Sequence, residues 1–309
     1  MKSNASLGKG SYGQVDLARI IRGPLTGKLI AVKKIMKSSI KSAHIAATLK
    51  REVDLHRKLS HENIVKLYTA CEDSESVYLF LEYAERGNLF FIIRSRQAGQ
   101  EMSEAEAFFY FIQTCSGLHF LHAKGLMHRD LKPENLLVSD QKVLKICDFG
   151  WCVESNQGER ATFCGTLEYM APEMMSATPS YGASVDVWAL GILLYELRHG
   201  HAPFPGHSPQ ELCKSIERGL PPAHPSSTPA YLDLLHRLLT FDPRHRLPLE
   251  AIFEHPWVRH FEHQMFPPLT PPSFAPASEG RGPHVKVLPS AALGAMRKGT
   301  VEESVIEEE

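Results

Sequence analysis

His128-Arg129-Asp130-Leu131-Lys132-Pro133-Glu134-Asn135 places a carboxylate, an ammonium and a side-chain amide in one short stretch, and Asp148-Phe149-Gly150 follows thirteen residues after Asn135. Near the start of the chain, Gly8-Lys9-Gly10-Ser11-Tyr12-Gly13-Gln14-Val15 has the spacing G-x-G-x-x-G-x-V, in which missing side chains let backbone N–H groups approach triphosphate oxygens. That string alone is weak, because many like it are plain glycine turns. Eighteen residues after Val15, Lys33 stands in the apolar run Ala31-Val32-Lys33, where an ammonium must snorkel or find a negative partner. Glu52 shares a helix face with Leu49, Val53 and His56, an unusual setting for a charge, and suits Lys33 as that partner. Taken together these groups could move a phosphoryl group. Asp130 would orient a hydroxyl and accept its proton, Lys132 would neutralise charge on the group in transit, and Lys33 would hold phosphate oxygens. Asn135 and Asp148 offer the oxygen ligands that Mg2+ prefers.

Positioning such groups takes two kinds of scaffold. Short β-rich runs (14–20, 29–35, 64–70 and 77–83) surround one helical stretch at 43–59, which predicts a small, mostly β lobe over 1–83. Helix-length segments at 103–122, 184–199, 209–218, 229–240 and 249–255 predict a larger, mostly α lobe over 84–263. From 264 to 309 the chain turns Pro-rich and ends in glutamates, with no periodic apolar face to bury, and is expected to be a disordered tail. The fold class is therefore α+β and bilobal. Only six residues precede Leu7, so the first strand is expected to be short.

Bulk composition limits the alternatives. With 309 residues, 43% of them hydrophobic and 22% charged, the chain can build more than one core, and pervasive disorder is excluded. Lys plus Arg (34) and Asp plus Glu (35) nearly cancel, so no global field draws it to nucleic acid or an anionic membrane. The longest apolar run, Val187 to Tyr195, is far short of the roughly 20 residues of a membrane span. The first residues lack a secretory signal, so a cytoplasmic or nuclear location is expected. Six cysteines without C-x-x-C spacing point to reduced thiols and no zinc site.

The order and context of these motifs resemble those of the eukaryotic protein kinases over about residues 7 to 260. The resemblance implies ATP and Mg2+, with Leu7, Gly8, Lys9, Gly10, Ser11, Gly13, Val15, Ala31, Lys33, Leu81, Glu82, Ala84, Glu134, Asn135 and Asp148 at the nucleotide. Leu81-Glu82-Tyr83-Ala84 looks like a gatekeeper and hinge, where backbone groups of Glu82 and Ala84 would bind adenine. By the same resemblance Asp130, Lys132, Lys33 and Glu52 are catalytic, and Asn135 and Asp148 hold metal. His128, Phe149, Leu67 and His56 look like an internal spine, Asp186 anchors the catalytic loop, and Glu173 pairs with Arg246. Lys132 and Thr166 indicate serine or threonine acceptors, and Glu134 and Glu196 match positions that read arginine two or three residues before the acceptor. Trp151 after Asp148-Phe149-Gly150, the string Thr162-Phe163-Cys164-Gly165-Thr166-Leu167-Glu168-Tyr169, and the stretch from Val77 to Ala84 are similar to the Aurora kinases. Cys152, Ala171 and a longer Val15-to-Lys33 connection depart from that pattern. A calcium/calmodulin-type or other basophilic kinase, and a pseudokinase scaffold, stay as alternatives. The Aurora resemblance further implies that Thr162 is an activating phosphosite, modified by a second copy of the chain and gathered by Arg51 and Arg129. It also implies an activator protein on the small lobe and association with spindle, centrosome or cilium.

Overall fold

The computed structural model describes residues 2–10, 13–96, 100–150, 152–154, 166–175, 181–222 and 224–265. Its first part is a five-stranded antiparallel sheet in the order β1-β2-β3-β5-β4, from β1 (Lys2–Gly10), β2 (Gly13–Arg19), β3 (Leu29–Met36), β4 (Leu67–Glu72) and β5 (Ser76–Glu82). The nine-residue β1 is longer than the sequence led us to expect: it pairs with β2 from Lys2↔Arg19 onward, and two register shifts keep the ladder going. β3 lies between β2 and β5, so Ile30, Ala31, Lys33 and Ile35 are all buried. Gly13 is dictated by close approach, because a Cβ there would collide with the Lys34 carbonyl oxygen across the β2–β3 ladder. Helix α1 (Ala43–His56) starts where the Ser42 hydroxyl accepts from the Ile45 N–H at 3.3 Å, leaving Glu52 and His56 on its buried face.

Beyond the sheet the chain is mostly helical: α2 (Leu89–Arg94), α3 (Glu104–Ala123), the strands β6 (Leu126–Met127), β7 (Leu136–Val138), β8 (Leu144–Ile146) and β9 (Val153–Glu154), then α4 (Ser184–His199), α5 (Pro209–Glu217), α6 (Pro229–Leu238), α7 (Leu249–Ile252) and α8 (Pro256–Met265). β6 pairs with β9 and β7 with β8. α3 begins with a capping box, in which Ser103 and Glu106 each satisfy the other's backbone N–H. α4 is buried along nearly its whole length, and Gly200 ends it in the left-handed region (φ 75°) with its N–H on the Glu196 carbonyl. Glu104, itself buried, accepts from the Thr228 N–H (2.6 Å), the Thr228 hydroxyl (2.9 Å) and Trp257 Nε1 (2.7 Å), tying α3 to α6 and α8. α8 carries Gln264 and Met265 within a helix, and the rest of the proposed tail lies outside the described residues.

Candidate active site

Lys33, 7% exposed on β3, is where the sheet meets the rest of the site. Its Nζ lies 3.7 Å from Glu52 Oε1 on α1 and 3.9 Å from Asp148 Oδ1, just past β8. Burial alone would push the Lys33 ammonium down, but Glu52 and Asp148 outweigh it and hold it above its ordinary value. Burial pushes the Glu52 carboxyl up, against the pull of Lys33. We take the lysine as charged, since two carboxylates face it.

The loop from His128 to Asn135 runs between β6 and β7 and is pinned from below by Asp186, in the first turn of α4. Asp186 accepts from the His128 N–H (2.9 Å), the Arg129 N–H (2.8 Å) and His122 Nε2 (2.8 Å) and is wholly buried. Burial works to raise its carboxyl, yet these donors prevail and hold it below the usual value. Asp186 is thus a backbone anchor and not merely a helix cap. The pinned loop puts Arg129 at φ 65°, and Asp148 likewise takes φ 63°; two strained non-glycine residues beside one carboxylate cluster are what a functional site accumulates.

Within the loop, Asp130 is 7% exposed and held on both sides. Lys132 Nζ donates to it at 3.0 Å and to the Thr166 hydroxyl at 2.7 Å. Asn135 Nδ2 donates to the Asp130 carbonyl (2.8 Å) and to Oδ2 (2.9 Å). With both amide hydrogens committed there, the Asn135 side chain has its carbonyl oxygen left for a cation, a donor chemistry that fits Mg2+ together with the Asp148 carboxylate. Phe149 packs between His56 (4.6 Å between ring centroids, tilted) and His128 (5.7 Å, edge-on), so those three rings are in contact in series, while Leu67 sits in the small-sheet core with Ile35 and Leu79. Cys147, next to Asp148, has its thiol pushed up to about 12 by burial, which disfavours the thiolate.

Other expected residues are placed as follows. Leu81 and Glu82 end β5 beside Ala31 and Ile30; the Glu82 N–H goes to the Lys66 carbonyl, and the Ala84 carbonyl accepts from Gly87. Leu7, Gly8, Lys9, Gly10, Gly13 and Val15 form the β1–β2 turn region, whereas Ser11 falls outside the described residues. Glu173 takes Arg246 in a two-pronged pair at 2.7 and 3.0 Å. Glu196 is 4% exposed and accepts from the Tyr169 hydroxyl at 2.6 Å. Arg129 donates to the Tyr181 hydroxyl, and Arg51 is exposed. Trp151, Thr162, Phe163, Cys164 and Gly165 lie outside the described residues, as does any meeting of Thr162 with Arg51 and Arg129.

The model of the protein kinase domain matches residues 1–258. The chain belongs to the protein kinase family. Among curated relatives, this kinase is 38% identical over 252 residues to Aurora kinase A-A of Xenopus laevis, covering 82% of the chain and 60% of that protein. It is 37% identical over 262 residues to Aurora kinase C of Mus musculus (84% and 92%) and 39% over 255 residues to the serine/threonine-protein kinase Aurora-1 of Arabidopsis thaliana (82% and 84%). It is thus a kinase resembling Aurora, with the bilobal α+β fold. No helix among the described residues is long and apolar enough to cross a membrane.

Sequence reasoning missed His122, Tyr169 and Lys145, which lies 3.0 Å from Glu82 at the end of β5. His122 stands in the last turn of α3, the helix that leads into the His128-to-Asn135 loop, a placement that could have drawn notice. Nothing in the pattern around Tyr169 or Lys145 pairs them with their glutamates.

Proposed function

We propose that this kinase transfers the γ-phosphate of ATP to serine or threonine hydroxyls of protein substrates. The observation that carries the reading is the joining of Lys33, Glu52 and Asp148 from three separate elements, next to the Asp130–Lys132–Asn135 cluster. Lys33, oriented by Glu52, binds phosphate oxygens of the nucleotide. Asp130 aligns the acceptor hydroxyl and takes its proton, and Lys132, which bridges Asp130 and Thr166, offsets charge on the group in transit. Asn135 and Asp148 would hold Mg2+, which when bound neutralises charge on the β- and γ-oxygens. The main-chain groups of Glu82 and Ala84 take adenine, and the Gly8-to-Val15 segment covers the phosphates. A pseudokinase is disfavoured because Lys33, Asp130, Asn135 and Asp148 are all present and assembled.

The same reading takes residues 1–83 as the small lobe, 84–263 as the large lobe and 264–309 as an accessory tail. It has Glu134 and Glu196 favour arginine before the acceptor, and Thr162 as the activating site, phosphorylated by a second copy. An activator protein on the small lobe has a candidate seat: a cavity of about 640 Å³ with Ile40, Leu49, Val53 and Val77 among its apolar lining and Lys37, Lys50 and Arg57 among its cations. We place the protein in the cytoplasm or nucleus, at division structures by its Aurora likeness.

Purified protein with ATP and Mg2+ should phosphorylate serine and threonine members of a degenerate peptide library and its own Thr162, read by mass spectrometry. Lys33→Met and Asp148→Asn should each cut turnover at least about a thousandfold while the melting curve stays cooperative. Full turnover by Asp148→Asn would overturn the mechanism.

A further inference from the structure

We propose that Ser226 is a phosphorylation site whose phosphate is received by the buried guanidinium of Arg198. The site lies outside the catalytic residues and does not depend on the kinase reading above.

Arg198 stands in the last turn of α4 and is 3% exposed. Its Nη1 donates to the Met102 carbonyl just before α3. Its Nη2 donates to the Ser226 hydroxyl at 2.9 Å and lies 3.4 Å from His224 Nδ1, and its Nε is buried with no hydrogen-bond partner. Every acceptor it reaches is neutral, and no carboxylate pairs with it among the described residues. Arg246, by contrast, is buried against both oxygens of Glu173. A buried guanidinium without an anion is costly, because neutral acceptors offset only part of its lost hydration.

The side chains around it do not supply that anion. Both Glu104 oxygens are engaged by Thr228 and Trp257, and Glu101 lies 3.9 Å from the far nitrogen of His224. His199 stacks on Tyr195 at 3.8 Å, with its ring 6.3 Å from that of His201 and 6.1 Å from that of His224. Burial, joined by Arg198, His201 and His224, holds the His199 imidazole below its ordinary value against the pull of the Tyr195 carbonyl. The corner is therefore rich in cationic groups and short of negative charge.

Ser226 is where an anion can be added from outside. It is exposed, in a turn between α5 and α6 that the Ser227 N–H closes onto the His224 carbonyl at 2.9 Å. A protein kinase acting in trans would supply the group from ATP. The Ser226 oxygen attacks the γ-phosphorus, the bond to the ADP oxygen breaks, and the hydroxyl proton passes to that enzyme's base. The product places a charge of about −1.5 to −2 and three acceptor oxygens beside Arg198, converting a neutral contact into charge-assisted ones. Esterification also removes the hydroxyl hydrogen 2.8 Å from His224 Nδ1, and the phosphate favours a proton on that nitrogen in its place. The end of α4 is then tied more firmly to the segments that lead into α3 and α6.

Two measurements on the full-length protein test the site. In protein made in eukaryotic cells and purified with phosphatase inhibitors, fragment-ion mass spectrometry of the tryptic peptide 219–237 should find phosphate on Ser226. Its absence there, or its presence on Ser227 or Thr228 alone, overturns the site. In a Lys33→Met background, which prevents self-modification, phosphoserine encoded at position 226 should raise the melting temperature by about 2–4 °C over serine. Its phosphorus NMR titration should show the second ionisation about one unit below the value near 6 of the free phosphopeptide. An unshifted ionisation, or no gain in melting temperature, overturns Arg198 as the receiver. Arg198→Met should abolish both effects, and Arg198→Lys, which keeps the charge if the first variant does not fold, should retain part of each; effects undiminished in the variant that folds overturn the assignment to Arg198.

Discussion

Asp186 illustrates how one side chain can set the geometry of a whole loop. Its two oxygens fix the amides of His128 and Arg129 and thereby position Asp130. Its carboxyl titrates below the ordinary value of about 3.9 in the folded protein, so the stability it confers is fully present above that value and is lost as pH falls through the lower folded one. Asp186→Asn should therefore cost about 3–5 kcal/mol at neutral pH, and the gap to wild type in urea melts should narrow below roughly pH 4. A gap that stays constant down to acid pH would show the carboxylate charge to be immaterial. Lys33→Met should be milder in stability than in activity, because Glu52, already pushed up by burial, can take a proton once its partner is gone. The residues expected to react were legible as chemical types at telling spacings, and the structure brings Lys33, Glu52 and Asp148 together and joins Asp130 to Lys132 and Asn135. The residues that hold them were less so: His122 and Tyr169 belong to α3 and to the segment after Thr166, far along the chain from what they touch.

Elements with a clear period were also legible. α4 runs over Ser184–His199 as read, and β3 and α1 begin at Leu29 and Ala43 as expected. α2, with six residues, was too short to show a helical period, and β6, β7, β8 and β9 have two or three residues each. Such strands are defined by their partners and not by their own composition. The β2–β3 pair yields a sharper prediction. Gly13 abuts the Lys34 carbonyl, and Val15 lies opposite Lys33 in the ladder, so anything that pushes β2 away shifts Lys33 as well. Gly13→Ala should raise KM for ATP roughly tenfold or more with a smaller change in kcat, measured at saturating peptide. Unaltered ATP dependence would mean that the ladder yields locally.

At the scale of the whole molecule, residues 268–309 offer no periodic apolar face, so a chain ending at Pro267 should keep both its melting temperature and its turnover. A drop in either would make that segment part of the enzyme. The Glu104 knot has a consequence of another sort, concerning time. Its donors are 124 and 153 residues away along the chain, so the knot can close only after α6 and α8 have docked. A contact made after the rate-limiting barrier of folding acts as a latch against escape. Glu104→Gln should remove about 2 kcal/mol, nearly all of it appearing as unfolding roughly thirtyfold faster, with the refolding limb of the chevron almost unmoved. How long a molecule of this kinase survives before opening would then depend on a glutamate remote from the site that it protects.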